Sequence, residues 1–117
     1  MQTALFVMPI KAGKLDSYKS FMGECLGPRK EDYIGLLKRY ELNITKIWIH
    51  NIDGKNYAMF THNMSKNSAE LLKKWPDPSH PFDQWFKEKL YDCYDTETIE
   101  NTPEQPVFLG EINTDTD

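Results

Sequence analysis

Ile44-Thr-Lys-Ile-Trp-Ile-His-Asn-Ile52, then Asp53-Gly54, then Lys55-Asn-Tyr-Ala-Met-Phe-Thr-His-Asn-Met64 reads as two alternating apolar/polar segments joined by a two-residue turn. Asp-Gly tolerates the positive φ angles of a tight hairpin turn, so this stretch predicts an antiparallel hairpin. With a two-residue loop, Ile52 faces Lys55, Ile47 pairs with Phe60, Ile49 with Ala58 and Thr45 with His62. That face is the one to lie under helices. The other face carries Lys46, Trp48, His50, Tyr57, Met59 and Thr61, too apolar to be left in water.

Before the hairpin, residues 3 to 10 are apolar at nearly every position, which predicts a strand buried on both faces. After Ala12-Gly13, apolar residues recur at helical spacing through Leu15, Tyr18, Met22, Cys25 and Leu26, then Tyr33, Leu36, Leu37 and Tyr40. The expected helix spans about residues 14 to 41 and is broken near Gly27-Pro28. After the hairpin, Asn67 to Glu70 reads as a capping box ahead of Leu71, Leu72 and Trp75. Pro81 opens a helix with Phe82, Trp85, Phe86, Leu90 and Cys93 on its apolar face, and Pro106 to Ile112 reads as a last strand. Strand, helix, strand, strand, helix, strand is the ferredoxin-like βαββαβ order of an α+β fold. One domain is expected over residues 1–112, with a frayed tail at 113–117. An open sheet face this apolar predicts a homodimer with two sheets packed face to face.

The chain has 117 residues, a formal charge of -4 and no basic cluster, which argues against nucleic acid and anionic membranes as partners. No apolar run is long enough to span a bilayer, and the start carries no basic leader, so a cytoplasmic protein is expected. Cys25 and Cys93 lie on apolar helical faces and read as buried reduced thiols. His50 and His62 fall on opposite faces of the hairpin, so no metal site is expected, and no motif calls for a cofactor.

General acid–base chemistry is the reading left open. With Pro81 as the first helical residue, His80 is the cap and Asp83 lies in the first turn, where it could orient a neutral imidazole for proton transfer. The plainer reading of the same residues is an ordinary helix start. His62, on the helix-facing side, is the second catalytic candidate, and a core-edge histidine is its plainer reading. Glu24 and Arg29 flank the helix break and could reach the same cavity. Tyr18, Met22, Trp85 and Phe86 could line a pocket for a small polar molecule, or simply fill the core.

Lys11-Ala-Gly-Lys14, the Trp48…Asp53-Gly-Lys-Asn-Tyr57 hairpin and Ser79-His-Pro-Phe-Asp83 together resemble a family of small uncharacterised bacterial proteins of the dimeric α+β barrel class. The resemblance covers most of residues 3 to 93 and implies a fold and a dimer, without a reaction. A second resemblance is to L-rhamnose mutarotase, through Phe6-Val-Met8, Tyr18, Leu36-Leu37, Tyr57-Ala-Met59, Gln84-Trp85-Phe86 and Val107-Phe108. It implies an isomerase-like pocket. The catalytic histidine of that family stands four residues after its tyrosine, where this chain has Met22, and one of its paired tryptophans is Phe86. Mutarotase activity itself is therefore not expected, and a related pocket using His80 or His62 instead is left open. A non-catalytic dimeric module and, on shared fold alone, a monooxygenase are the alternatives.

Overall fold

The structure is a computed structural model that describes residues 2–96 and 101–115. Among the described residues it is an α+β domain with a three-stranded antiparallel sheet, ordered β1-β3-β2, and four helices. The strands are β1 (Gln2–Pro9), β2 (Leu42–Ile52) and β3 (Lys55–Met64). The helices are α1 (Leu15–Leu26), α2 (Lys30–Arg39), α3 (Ser68–Leu72) and α4 (Pro81–Cys93).

The β2–β3 hairpin forms in the expected register, with Ile47 opposite Phe60, Ile49 opposite Ala58 and Ile52 opposite Lys55. Asp53 and Gly54 both take positive φ, 51° and 82°, as a type I′ turn demands, and Asn51 Oδ1 accepts from the Gly54 N–H at 3.2 Å. One feature of β2 was not foreseen. Between the Asn43/Asn63 and Lys46/Thr61 pairs, Ile44 and Thr45 stand opposite His62 alone, so the strand bulges there. Ile44 takes φ 49°, a left-handed conformation that a β-branched residue adopts only at a cost.

The expected long helix is two, separated at Gly27-Pro28-Arg29. A Cβ on Gly27 would stand 3.0 Å from the Gly23 carbonyl oxygen, so any larger residue would crowd this corner. The expected capping box does not form. Asn67 makes no side-chain cap, and Ser68 Oγ instead accepts from the Ser65 N–H and donates to the Glu41 carbonyl, at 2.9 and 3.0 Å, tying α3 to the end of α2.

The core lies between the sheet and α1, α2 and α4. Met8, Ile10 and Ala58 from the sheet meet Tyr18, Phe21, Met22, Tyr33, Leu36, Phe82 and Phe86, with Cys25 and Cys93 buried and unbridged. Phe21 and Tyr33 contact Phe86 with ring centroids 5.2 and 5.3 Å apart.

Two expectations about the sheet need correction. β1 is not buried on both faces, since Leu5 on its open face is 43% exposed. Pro106 to Ile112 forms no strand within the chain, and Leu109 is 97% exposed. The reason lies at the free edge of β1. The Asp95 N–H bonds the Pro9 carbonyl at 2.8 Å and Tyr94 bridges Ile10, after which the Gln105 side-chain amide, not its backbone, takes both backbone groups of Val7, at 2.7 and 3.2 Å. The chain therefore stands a side chain's length off the edge where its backbone would need to pair. Residues 113–115 are exposed and irregular, and the rest of the expected frayed tail lies outside the described residues.

Candidate functional site

The sheet and the helices do not close completely on each other. A cavity of about 230 Å³ lies between them, walled by Phe6, Met8, Ile47, Phe60 and His62 from the sheet, by Tyr18, Met22, Tyr33, Leu36, Leu37 and Tyr40 from α1, α2 and the residue after it, and by Trp75, Phe86, Leu90, Tyr91, Tyr94 and Thr102 beyond. The wall is apolar apart from His62, Thr102 and the tyrosine hydroxyls.

His62 is placed by the β3 alternation, which turns even-numbered side chains toward the helices. The β2 bulge then aims Thr45 at it, and Thr45 Oγ1 lies 2.7 Å from His62 Nδ1. Phe6 and Phe60 flank the ring, with centroids 5.9 and 5.5 Å away. With Nδ1 engaged, Nε2 makes no hydrogen bond among the described residues. Burial among these rings opposes protonation and lowers the imidazole pKa from 6.5 to about 4, so His62 is neutral at pH 7.

Across the cavity, the hydroxyls of Tyr18 and Tyr94 share a hydrogen bond of 3.1 Å. Burial pushes the Tyr18 phenol up to about 12 and the Tyr94 phenol well above its usual value, so both stay protonated. One proton serves the shared bond and the other has no acceptor among the described residues. The polar groups facing the cavity are thus neutral at physiological pH, and a charged ligand would meet no counter-charge there.

Of the residues expected in the site, the structure brings Tyr18, Met22, Phe86 and His62 to the cavity. It does not bring His80 and Asp83 side chains together. His80 caps α4 as expected, with Pro81 next, but its imidazole is 43% exposed and faces Asp77, Nε2 lying 3.8 Å from the carboxylate. Asp83 is fully buried and pairs instead with Arg39; it also accepts from Tyr40 Oη at 2.5 Å and from the Asp77 N–H at 3.3 Å. Its carboxylate ties the start of α4 to the end of α2. Trp85 also lies outside the cavity, under the Arg29 guanidinium, which sits 4.1 Å from its ring centre and 4.8 Å from that of Phe82. Glu24 lies on a separate polar hollow between α1 and α4 with Asp16, Lys89 and Asp92. No group of three or more His, Cys, Asp or Glu side chains among the described residues is placed to hold a metal ion, and none of the helices is long and apolar enough to cross a membrane.

Tyr94 is a polar cavity residue that the sequence reading missed. Its signal was available in part: Tyr91 and Tyr94 continue the apolar side of α4, and Tyr94 ends that helix at the strand-forming Ile10.

Compared with known proteins, the chain matches no family model, no curated protein and no solved structure.

Proposed function

We propose that this chain binds a small, uncharged, largely apolar molecule in the cavity between sheet and helices, with His62 Nε2 and the Tyr18–Tyr94 hydroxyl pair as its polar anchors. The observation that carries the reading is an apolar cavity lined by one oriented imidazole whose Nε2 has no partner among the described residues. A cavity of about 150 Å³ holds benzene, so about 230 Å³ suits a single substituted ring. This differs from the sugar or carboxylate expected from sequence, because a sugar would leave most of its hydroxyls unpaired against such a wall. A ligand of about ten non-hydrogen atoms at about 0.5 kcal/mol each would bind with a dissociation constant of about 0.2 mM.

The test is calorimetric titration of the full chain with phenol, indole, L-rhamnose and benzoate. The neutral aromatics should bind and the sugar and the anion should not. His62→Phe should weaken the hydroxyl-bearing ligand more than a pure hydrocarbon such as toluene. Equal loss for both, or preference for the sugar, refutes the reading.

A second reading is favoured by Thr45, which holds the His62 ring in place through Nδ1, as a proton-transfer group requires. In it His62 takes a proton from the bound ligand, as in an isomerase. The low basicity of the buried ring favours binding over catalysis, and turnover of any bound compound that is lost in His62→Gln would reverse that order.

The ferredoxin-like topology and the dimer belong to the same proposal. Leu5, Val7, Trp48, Tyr57 and Met59 on the open face, with Trp48 52% exposed, support two copies packed sheet to sheet.

A further inference from the structure

We infer that Pro106–Ile112 is an exchanged strand, which leaves its own domain and adds to the β2 edge of a second copy of this chain. The inference rests on the sheet-to-sheet dimer proposed above and names the element that locks it.

Val107, Phe108, Leu109 and Ile112 are 75%, 57%, 97% and 92% exposed. Four large apolar side chains within seven residues, all in water, are a cost that a folded chain avoids when a partner is within reach. The segment does not pair with its own β1, where the Gln105 amide occupies both backbone groups of Val7. That same contact anchors its starting point at the β1 edge.

The acceptor is at the opposite edge of the sheet. From Lys46 to Ile52, β2 pairs only with β3 among the described residues, so this stretch of its outer edge presents a row of unpaired backbone groups, the usual template for strand addition. From the bulge to the hairpin turn, Lys46–Ile52, this edge is as long as the Pro106–Ile112 segment.

Symmetry brings the two together. A two-fold axis running along the strands between two facing sheets exchanges left and right, and so lays the partner's β2 edge over β1. Direction is set as well. Tyr94 meets Ile10 and Gln105 meets Val7, so the chain runs opposite to β1. β1 and β2 are each antiparallel to β3 and hence run the same way. The added strand is therefore antiparallel to β2, and the isologous arrangement adds two such strands and closes at two copies. Charge agrees: Lys46 is on the receiving sheet and Glu111 is on the donated strand.

The test is sedimentation equilibrium of the full chain, followed by cysteine pairing. Wild type should sediment at twice the 13.7 kDa chain mass. The double substitution Val107→Asp and Leu109→Asp should weaken association at least 100-fold. Native Cys25 and Cys93 are buried and leave engineered pairs readable. Chains carrying Leu109→Cys, mixed with chains carrying cysteine in turn at Trp48, Ile49 or His50, should give a disulfide between chains at one of the three positions. A dimer that persists in the aspartate variant, or forms no such disulfide, overturns the exchange and leaves the sheet-to-sheet dimer standing. A monomeric wild type overturns both and leaves the cavity reading untouched.

Discussion

Removing the Asp83 carboxylate tests whether this residue holds the fold or serves the chemistry. Asp83→Ala leaves three groups without their partner: the Arg39 guanidinium, Tyr40 Oη and the Asp77 N–H. Breaking a buried ion pair from one side costs about 3–5 kcal/mol, and Arg39 is about one-quarter exposed, which puts the loss near the lower end, about 3 kcal/mol. With a urea dependence of about 1.5 kcal/mol per molar, the unfolding midpoint should fall by about 2 M. That is a large share of the roughly 5–15 kcal/mol that holds a domain of this size. Equilibrium unfolding followed by fluorescence of Trp48, Trp75 and Trp85 reads it directly. Asp83→Asn keeps acceptors for Tyr40 and the backbone and should lose about half as much. His80→Ala, at an exposed site, should change stability by less than about 0.5 kcal/mol. A loss under about 1 kcal/mol for Asp83→Ala, or equal losses for Asp83→Ala and His80→Ala, would refute the structural role.

The buried imidazole makes stability depend on pH. His62 has a folded-state pKa of about 4 against 6.5 unfolded, so the folded state holds fewer protons between these values; stability is full above 6.5 and falls by up to about 3 kcal/mol as pH drops toward 4. Urea midpoints from pH 7 to 4 should show this slope in wild type and a shallower one in His62→Phe. Removing the hydroxyl of Tyr18 or Tyr94 alone should cost about 1 kcal/mol, whereas Tyr18→Phe with Tyr94→Phe should cost less than the sum, as a double-mutant cycle in urea would report. Ile44→Asn should stabilise by about 0.5–1 kcal/mol, since asparagine takes the left-handed conformation more readily and Ile44 is 57% exposed; a lower thermal midpoint would show the strain reading wrong.

What the sequence made legible is what depends on short-range pattern. The hairpin, its register, the helix break at Gly27 and the start of α4 at Pro81 follow from period, turn chemistry and proline placement, and the structure has them all. The same patterns place Tyr18, Met22 and Phe86 inward and His62 under the helices. What sequence did not reveal depends on contacts between distant segments. Asp83 lies three residues from His80, yet its partner is Arg39, 44 residues away on α2, because the helix turns the carboxylate inward and the cap histidine outward. Arg29 was read as a pocket residue and instead covers Trp85, a pairing set by how α2 meets α4. The bulge at Ile44 and Thr45 leaves no composition signal, although it sets the geometry of His62. Pro106–Ile112 has the composition of a strand and forms none on its own sheet, where a side-chain amide takes the backbone of Val7.

The most direct test of the central claim is a two-dimensional NMR titration of the wild-type chain with indole, with L-rhamnose as the comparison. Binding between sheet and helices gives saturable shifts at His62, Tyr18, Phe60 and Leu36 with indole, and none with the sugar. Saturable shifts confined to Arg29, His80 and Trp85, or no saturable shift with indole, would contradict it.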